Sequence, residues 1–299
     1  MKKIIHILKK PSLIFLTAGH RGLLNWVNDE LYLKIAFKIR TGKSLNLKDP
    51  VLFNEKLQWL KLYDRKSIYS LMVDKYEAKK YVANIIGEKY IIPTIGVWDK
   101  VEDIDFKSLP RQFVLKCTHD SGGVIICKDK NKLSIEDTRK KLKQGLKYNF
   151  YGSLREWPYK NIKPRIIGEK FMQNKEDANL NVYKIFCFSG EPTIIQAIQN
   201  DKTDYETIDY FDTNWNVLNL RQNFPNSQKK LSKPKKLLEM LFLSRKLSKN
   251  LPFIRIDFYE VNGFVYFSEF TFYSDGGMEN FYPEEWDKIL GDKIILPKS

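Results

Sequence analysis

The chain has 299 residues, 43% of them hydrophobic and 14% aromatic, with 51 Lys+Arg against 36 Asp+Glu and a net charge of +15. That apolar content excludes a disordered chain, and 12 Pro with 15 Gly excludes collagen-like or low-complexity material. The length suits two domains or one large α/β unit around a substantial core, and no stretch reaches the roughly 18–20 apolar residues of a membrane span.

The first 22 residues, MKKIIHILKKPSLIFLTAGHRG, mimic a signal peptide, but Lys9, Lys10 and Pro11 interrupt the apolar run and no small-residue cleavage site follows. A cytoplasmic chain, with peripheral contact at the inner membrane face, is expected. Apolar residues at three- and four-residue spacing predict helices over 28–40, 53–63 and 73–86, the last ending near Gly87. Thr41-Gly42-Lys43-Ser44 resembles the end of a P-loop. Position 37 is Phe where the motif needs Gly, and the segment follows a helix, so a helix C-terminal turn is expected. Strands follow over 112–118 and 123–127, around the turn His119-Asp120-Ser121-Gly122. Ser134, with Asp137 three residues on, opens a basic helix to about 149. Further strands are predicted over 165–172, 182–188, 193–198 and 207–211, then a helix over 235–248 and a hairpin of 253–259 with 264–272. No internal repeat is visible. The class is α+β: helices first, then antiparallel sheets with helices on them.

Cys117, Cys127 and Cys187 each sit in an apolar run, without a CxxC or Cys/His cluster, and read as buried free thiols. From 221 to 250 there are nine Lys/Arg against one acid, Glu239. No nucleic-acid motif accompanies this patch. It is a solvated helix face or a surface for an anionic partner.

Arg255-Ile256-Asp257 and Glu269-Phe270-Thr271 carry the densest chemistry. A two-residue Asn262-Gly263 loop would put Asp257 opposite Ser268 and turn Glu269 to the other face. A three-residue loop, Val261-Asn262-Gly263, pairs Glu260 with Phe264, Asp257 with Phe267 and Glu269 with Arg255. The three-residue loop is expected, because Arg255, Asp257, Glu269 and Thr271 then share one face. One reading is an Arg255–Glu269 ion pair. The other is a pair of hard-cation ligands, since Mg²⁺ takes carboxylate oxygens together with phosphates, with Arg255 steadying a transferring phosphoryl group. Lys116 interrupts an apolar strand and needs a counter-charge. Ser121, Gly122 and Gly123 after it offer backbone N–H groups to an anion, as a lid over a triphosphate would. Residues 165–172, ending in Glu169-Lys170-Phe171-Met172, could present a strand edge to a purine, and Lys184 is a second inward lysine. Each also reads as a surface charge on an amphipathic strand. His119 beside the glycine loop suits a structural role better than catalysis.

Taken in order, these pieces resemble the ATP-grasp enzymes, and in particular the TupA-like ATP-grasp proteins of polysaccharide gene clusters. The resemblance is carried by LNLKDPVLFNEKLQWLKLYDR (45–65), DKYEAKKYV (74–82), FVLKCTHDSGGVIIC (113–127), IIGEKFM (166–172), VYKIFCFSGEP (182–192) and FIRIDFYEVNGFVYFSEFTFYSDGG (253–277), and covers roughly 34–290. It implies a helical region over 1–110, a small lobe over 111–172 and a large lobe over 173–299, with ATP gripped between the lobes. It implies that Lys116 and Lys184 meet the phosphates, that Ser121, Gly122 and Gly123 cover them, and that Glu169, Lys170, Phe171 and Met172 form the adenine hinge. Glu176 or Asp177 would hold the ribose, and Asp257 and Glu269 would bind Mg²⁺. Many ATP-grasp enzymes, such as D-alanine–D-alanine ligase, carry Asn two residues after the metal Glu. Here that residue is Thr271, which leaves its place as a ligand open. Residues 274–277 (Ser-Asp-Gly-Gly) are placed at the acceptor end.

The implied reaction has two steps. A carboxylate attacks the γ-phosphate of ATP to give an acylphosphate and ADP, and an amine then displaces phosphate to leave an amide. The resemblance implies a sugar acid of a capsule or other cell-surface glycan as the carboxylate donor, and an amino acid or small amino alcohol as the amine. A glycosyltransferase of a polysaccharide cluster is the first alternative, although the only DxD candidate, Asp103-Ile104-Asp105, lies in a polar loop. A non-catalytic module binding an anionic glycan or membrane is the second. Nucleic acid is not an expected partner.

Overall fold

The computed structural model describes residues 11–120, 122–174, 180, 182–199, 203–229 and 231–298. The N-terminal part is helical: α1 (Pro11–His20), α2 (Asp29–Thr41), α3 (Phe53–Tyr63), α4 (Ser67–Val73) and α5 (Glu77–Ile86). The Asn28 side chain caps α2, accepting from the Glu30 N–H at 2.9 Å. The helix ends on Gly42 at φ 76°, the left-handed position glycine occupies without strain. Thr41-Gly42-Lys43-Ser44 therefore forms the helix C-terminal turn expected of it. The single helix expected over 73–86 is two elements. Asp74 divides them, because its Oδ1 accepts from the N–H groups of Tyr76 (2.8 Å) and Glu77 (3.0 Å) and so caps α5.

The first sheet has four antiparallel strands in the order β1-β4-β2-β3: β1 (Thr94–Trp98), β2 (Phe113–Cys117), β3 (Ile125–Cys127) and β4 (Ile166–Lys170). β1 comes from the segment expected to be helical and pairs with β4. Phe113, Leu115 and Ile166 face a core shared with Leu142 of α6 (Ile135–Leu146). Ser134 caps α6, accepting from the Asp137 N–H at 3.2 Å, and the helix stops three residues short of the expected end. Alternation then turns Val114 and Lys116 to the other face.

The second sheet has five antiparallel strands in the order β7-β6-β5-β8-β9: β5 (Val182–Phe188), β6 (Glu191–Gln199), β7 (Thr207–Phe211), β8 (Phe253–Val261) and β9 (Phe264–Thr271). Its residues sort into rungs that run across all five strands. Phe211, Ile195, Ile185, Ile256 and Phe270 form an apolar rung, and all are buried in the main core with α8 (Leu237–Leu247). The neighbouring rung is Tyr210, Gln196, Lys184, Asp257 and Glu269. A strand period of two sends these rungs to opposite faces, so one face builds the core and the other builds a site. α3 docks on the sheet through Phe53, whose ring meets Phe253 edge-on at 5.0 Å. α9 (Glu285–Lys293) clamps the start of α3: its Asp287 accepts from the Asn54 backbone N–H at 3.0 Å.

Candidate active site

The β8–β9 hairpin closes with a two-residue turn. Val261 pairs with Phe264, and Asn262 (φ 51°) and Gly263 (φ 79°) take the left-handed conformations of a tight hairpin. The three-residue loop expected from the sequence is not what forms. The two-residue turn alone would leave Asp257 opposite Ser268. A β-bulge corrects this, because the register shifts between Asp257 and Phe258, leaving Ser268 as the extra residue on β9. Asp257 then pairs with Glu269 and Arg255 with Thr271, not Asp257 with Phe267 and Glu269 with Arg255. All four side chains do reach one face, by way of the bulge.

They line a cleft of about 400 Å³ together with Lys184, Tyr159, Glu156 and Asp275. Arg255 grips Asp257 with two prongs, Nε to Oδ1 at 2.8 Å and Nη2 to Oδ2 at 2.9 Å. The same guanidinium donates to Thr271 Oγ1 at 3.0 Å and Ser274 Oγ at 3.2 Å, while Glu269 lies 4.0 Å away. The main partner of Arg255 is thus its own strand neighbour, not Glu269. Lys184 stands 3.7 Å from Asp257 Oδ2. Burial pushes the Asp257 carboxyl up, against the pull of Arg255 and Lys184. Burial opposes the Arg255 charge, yet Asp257 outweighs it and raises the guanidinium further. Glu269 is half-buried; desolvation pushes its carboxyl up, but the charges of Lys75, Lys184, Arg255 and Lys116 hold it below the usual range.

The first sheet supplies the second group. Lys116 finds its counter-charge in Glu169, Nζ to Oε2 at 2.6 Å. The other oxygen of Glu169 meets Lys79 of α5 at 2.7 Å. Burial would lower Lys116, but the Glu169 carboxylate raises it; burial would raise Glu169, but the two ammoniums lower it. Lys75 reaches the Asp120 carbonyl. His119 is buried against the Tyr148 carbonyl at 3.1 Å, which suits its expected structural role.

Other expected positions fall around this frame. Gly122 and Gly123 follow β2, with Gly123 at φ 67°. Lys170 ends β4 and is exposed; Phe171 and Met172 follow it, half-buried. Ser121, Glu176 and Asp177 lie outside the described residues. Asp275 and Gly276 line the cleft, and Lys61 and Gln58 of α3 donate to the Gly276 carbonyl at 2.7 and 3.1 Å. An added Cβ on Gly276, at φ 65°, would stand 2.3 Å from the Leu154 side chain, so only glycine fits there without a shift. Asp103 and Asp105 are exposed on a short 3₁₀ turn and the loop after it, while Ile104 between them is buried in the first core. All three cysteines are free and buried.

Among the described residues no group of three or more His, Cys, Asp and Glu could hold a metal by itself. Two carboxylates and a hydroxyl do suit a cation that keeps phosphate oxygens as further ligands. The two-pronged Arg255 contact leaves a second lone pair on each Asp257 oxygen, and Glu269 faces the same space.

Family comparison decides the class: the family described as TupA-like ATPgrasp matches residues 55–295. The chain belongs to the TupA-like ATP-grasp family. It is an enzyme of the ATP-grasp type, with the two antiparallel sheets described above. Among solved structures, D-alanine–D-alanine ligase of Helicobacter pylori is similar at 17% identity and TM-score 0.44, over 82% of this chain and 69% of that one. The same ligase of Bacillus anthracis, complexed with ATP, matches at 18% identity and TM-score 0.39, over 67% of this chain and 53% of that one. A RimK domain ATP-grasp protein of Sphaerobacter thermophilus matches at 10% identity and TM-score 0.43, over 77% and 70%. This chain thus spans between about half and seven-tenths of the length of these structures. No curated protein matches the sequence significantly. No described helix is long and apolar enough to cross a membrane.

Sequence reasoning did not single out Lys75, Lys79, Glu156 or Tyr159. Lys79 had a readable signal. It lies on the buried face of α5 with Ala78, Val82 and Ala83, where a lysine needs a partner.

Proposed function

We propose that this chain is an ATP-dependent, ADP-forming ligase that joins a small amine, an amino acid or amino alcohol, to the carboxylate of an acidic sugar through an acylphosphate, in the assembly of a capsule or other cell-surface glycan. The observation that carries the reading is the rung Lys184–Asp257–Glu269, braced by Arg255 and lying close enough to Lys116 that the two groups share one field. Such a site has lysines for phosphates and carboxylates for a cation, and no cysteine or histidine lines its cleft. Phosphoryl transfer needs mainly positioning and charge neutralisation, and these residue types supply both.

In this reading Lys116 and Lys184 hold the phosphates and Gly122 and Gly123, with Ser121, cover them. Residues 169–172 form the adenine hinge, with the Glu169 carboxylate holding Lys116 in place before nucleotide arrives. Asp177 or its neighbour Glu176 takes the ribose. Asp257 and Glu269, with Thr271 beside them, would hold Mg²⁺, which when bound supplies positive charge to the phosphates. Arg255 keeps the Asp257 carboxylate oriented and Lys184 steadies the transferring phosphoryl group. The helical region 1–110 supports a small lobe over 111–172, joined by β1, and a large lobe over 173–299. The chain works in the cytoplasm, with the basic segment 221–250 facing an acidic glycan or the inner membrane surface.

The test is ADP release from Mg-ATP across a panel of uronic acids, free and nucleotide-linked, and small amines. Release that requires a uronic acid supports the ligase. Sugar transfer from a nucleotide sugar without ATP consumption would replace it with a glycosyltransferase.

A further inference from the structure

Glu156 sits in the wall of the cleft and has no role in the scheme above. The residue is only 5% exposed. It lines the same cleft as Arg255, Asp257 and Asp275. Among the described residues its carboxylate accepts no hydrogen bond and has no cationic nitrogen within 4.0 Å. A largely buried carboxylate without a direct partner is costly unless it takes up a proton or is met by water or a ligand, and the Glu156 oxygens are not sealed in the core but open onto the cleft where a ligand would stand. The obvious internal partner, Lys61, is spent elsewhere: its Nζ donates to the Gly276 carbonyl at 2.7 Å, Gln58 Oε1 at 2.9 Å and the Leu154 carbonyl at 3.0 Å.

We propose that Glu156 is the amine-side residue of this site, holding the substrate ammonium in the cleft and taking its proton as the nitrogen attacks the acylphosphate. The proposal rests on the ligase reading and names the half of the reaction that reading leaves without a residue. A protonated primary amine supplies what Glu156 lacks, a cation with three donors. The step balances as follows. Glu156 removes one proton from R–NH3⁺. The freed lone pair forms the C–N bond at the acyl carbon, and the C–O bond to phosphate breaks with its electron pair on phosphate. The second nitrogen proton leaves on phosphate, giving amide, hydrogen phosphate and a protonated Glu156. Burial, opposed by Lys61 and helped by Asp275, pushes the Glu156 carboxyl up, while burial pushes the Lys61 ammonium down; the rise makes Glu156 a stronger base than an ordinary carboxylate. The groups that feel or set its charge are Lys61, Asp275, Arg255, Tyr148, Tyr159 and Tyr273.

The experiment uses the full chain with D-glucuronate as acid probe, and ethanolamine and hydroxylamine as nucleophiles. Hydroxylamine is neutral near pH 7 and needs neither a carboxylate to bind it nor a base to free its lone pair. In Glu156→Gln, ethanolamine-dependent ADP release should fall by about 10²–10⁴-fold. The ethanolamine KM should rise, and the acid limb of the ethanolamine pH profile should shift or vanish. Hydroxamate formation in the same variant should stay within about twofold, which also shows that the variant folds and makes the acylphosphate. Glu156→Asp should restore part of the ethanolamine rate. Equal loss with both nucleophiles, or an unchanged ethanolamine rate and pH profile, would overturn the assignment. If wild-type enzyme forms no hydroxamate with glucuronate or the other uronic acids of the panel, the ligase reading itself fails, and that result is read without any Glu156 variant.

Discussion

Glu169 offers a stringent test of how the cleft is held ready. Its side chain is 6% exposed and lies between Lys116 at 2.6 Å and Lys79 at 2.7 Å. Glu169→Gln keeps the shape and removes the charge, leaving two buried ammoniums facing a neutral amide. Breaking a buried ion pair in this way costs about 3–5 kcal/mol. At about 2 °C per kcal/mol for a chain of this length, Tm should fall by roughly 6–10 °C at pH 7. The pH dependence has a definite sign. The folded Glu169 pKa lies below its usual value of 4.5. Its stabilisation is therefore complete above the unfolded pKa and is lost as pH falls through the folded one. The gap between wild type and variant should narrow as the melts are taken from pH 7 down below pH 4. Lys79→Met combined with Glu169→Gln should cost less than the sum of the two, with a coupling of about 0.5–3 kcal/mol. A Tm within 1 °C of wild type at pH 7, or a gap that does not change with pH, would refute the idea that Glu169 anchors these lysines.

Arg255→Lys keeps the charge but loses the two-pronged grip on Asp257, so kcat/KM for ATP-dependent ADP release should drop by about 10²–10³-fold with little change in Tm. Gly276→Ala must place a Cβ 2.3 Å from Leu154 in a left-handed backbone, and urea melts should show a loss of about 1–3 kcal/mol. Neutralising Lys233, Lys235 and Lys249, all exposed, should raise the apparent KM for a polymeric or lipid-linked acceptor and flatten its salt dependence, leaving the KM for a free sugar acid unchanged. An unchanged KM for both acceptors would return the patch to a solvated face.

The parts of this site that share one strand were legible from residue alternation alone. Arg255 and Asp257 had to face together, as did Glu269 and Thr271, because side chains two apart on a strand do. What joined the two pairs was not legible. A bulge inserts one residue without a strong composition signal, and Ser268 looks like any polar strand residue. The inward set of Lys116 was readable because a lysine amid Val114, Leu115 and Cys117 needs a counter-charge. The identity of that charge depended on β2–β4 pairing across some 50 residues of sequence, which puts Val114 beside Glu169. The break between α4 and α5 turned on Asp74 capping the second helix, a local hydrogen bond that competes with continued helix. Glu156 sits between α7 (Tyr151–Leu154) and a short 3₁₀ turn, where no period marks a buried side, and only the fold brings it to the cleft.

The most direct measurement compares ADP release from Mg-ATP in wild-type enzyme, Asp257→Asn and Glu269→Gln, with a uronic acid and an amine supplied together and singly. The two carboxylates should prove necessary: uronate-dependent release in wild type, and loss of about 10²-fold or more in each variant with ATP binding weakened at fixed Mg²⁺. Full activity and unchanged ATP binding in both variants would contradict the account, because the rung Lys184–Asp257–Glu269 would then have no part in handling the nucleotide.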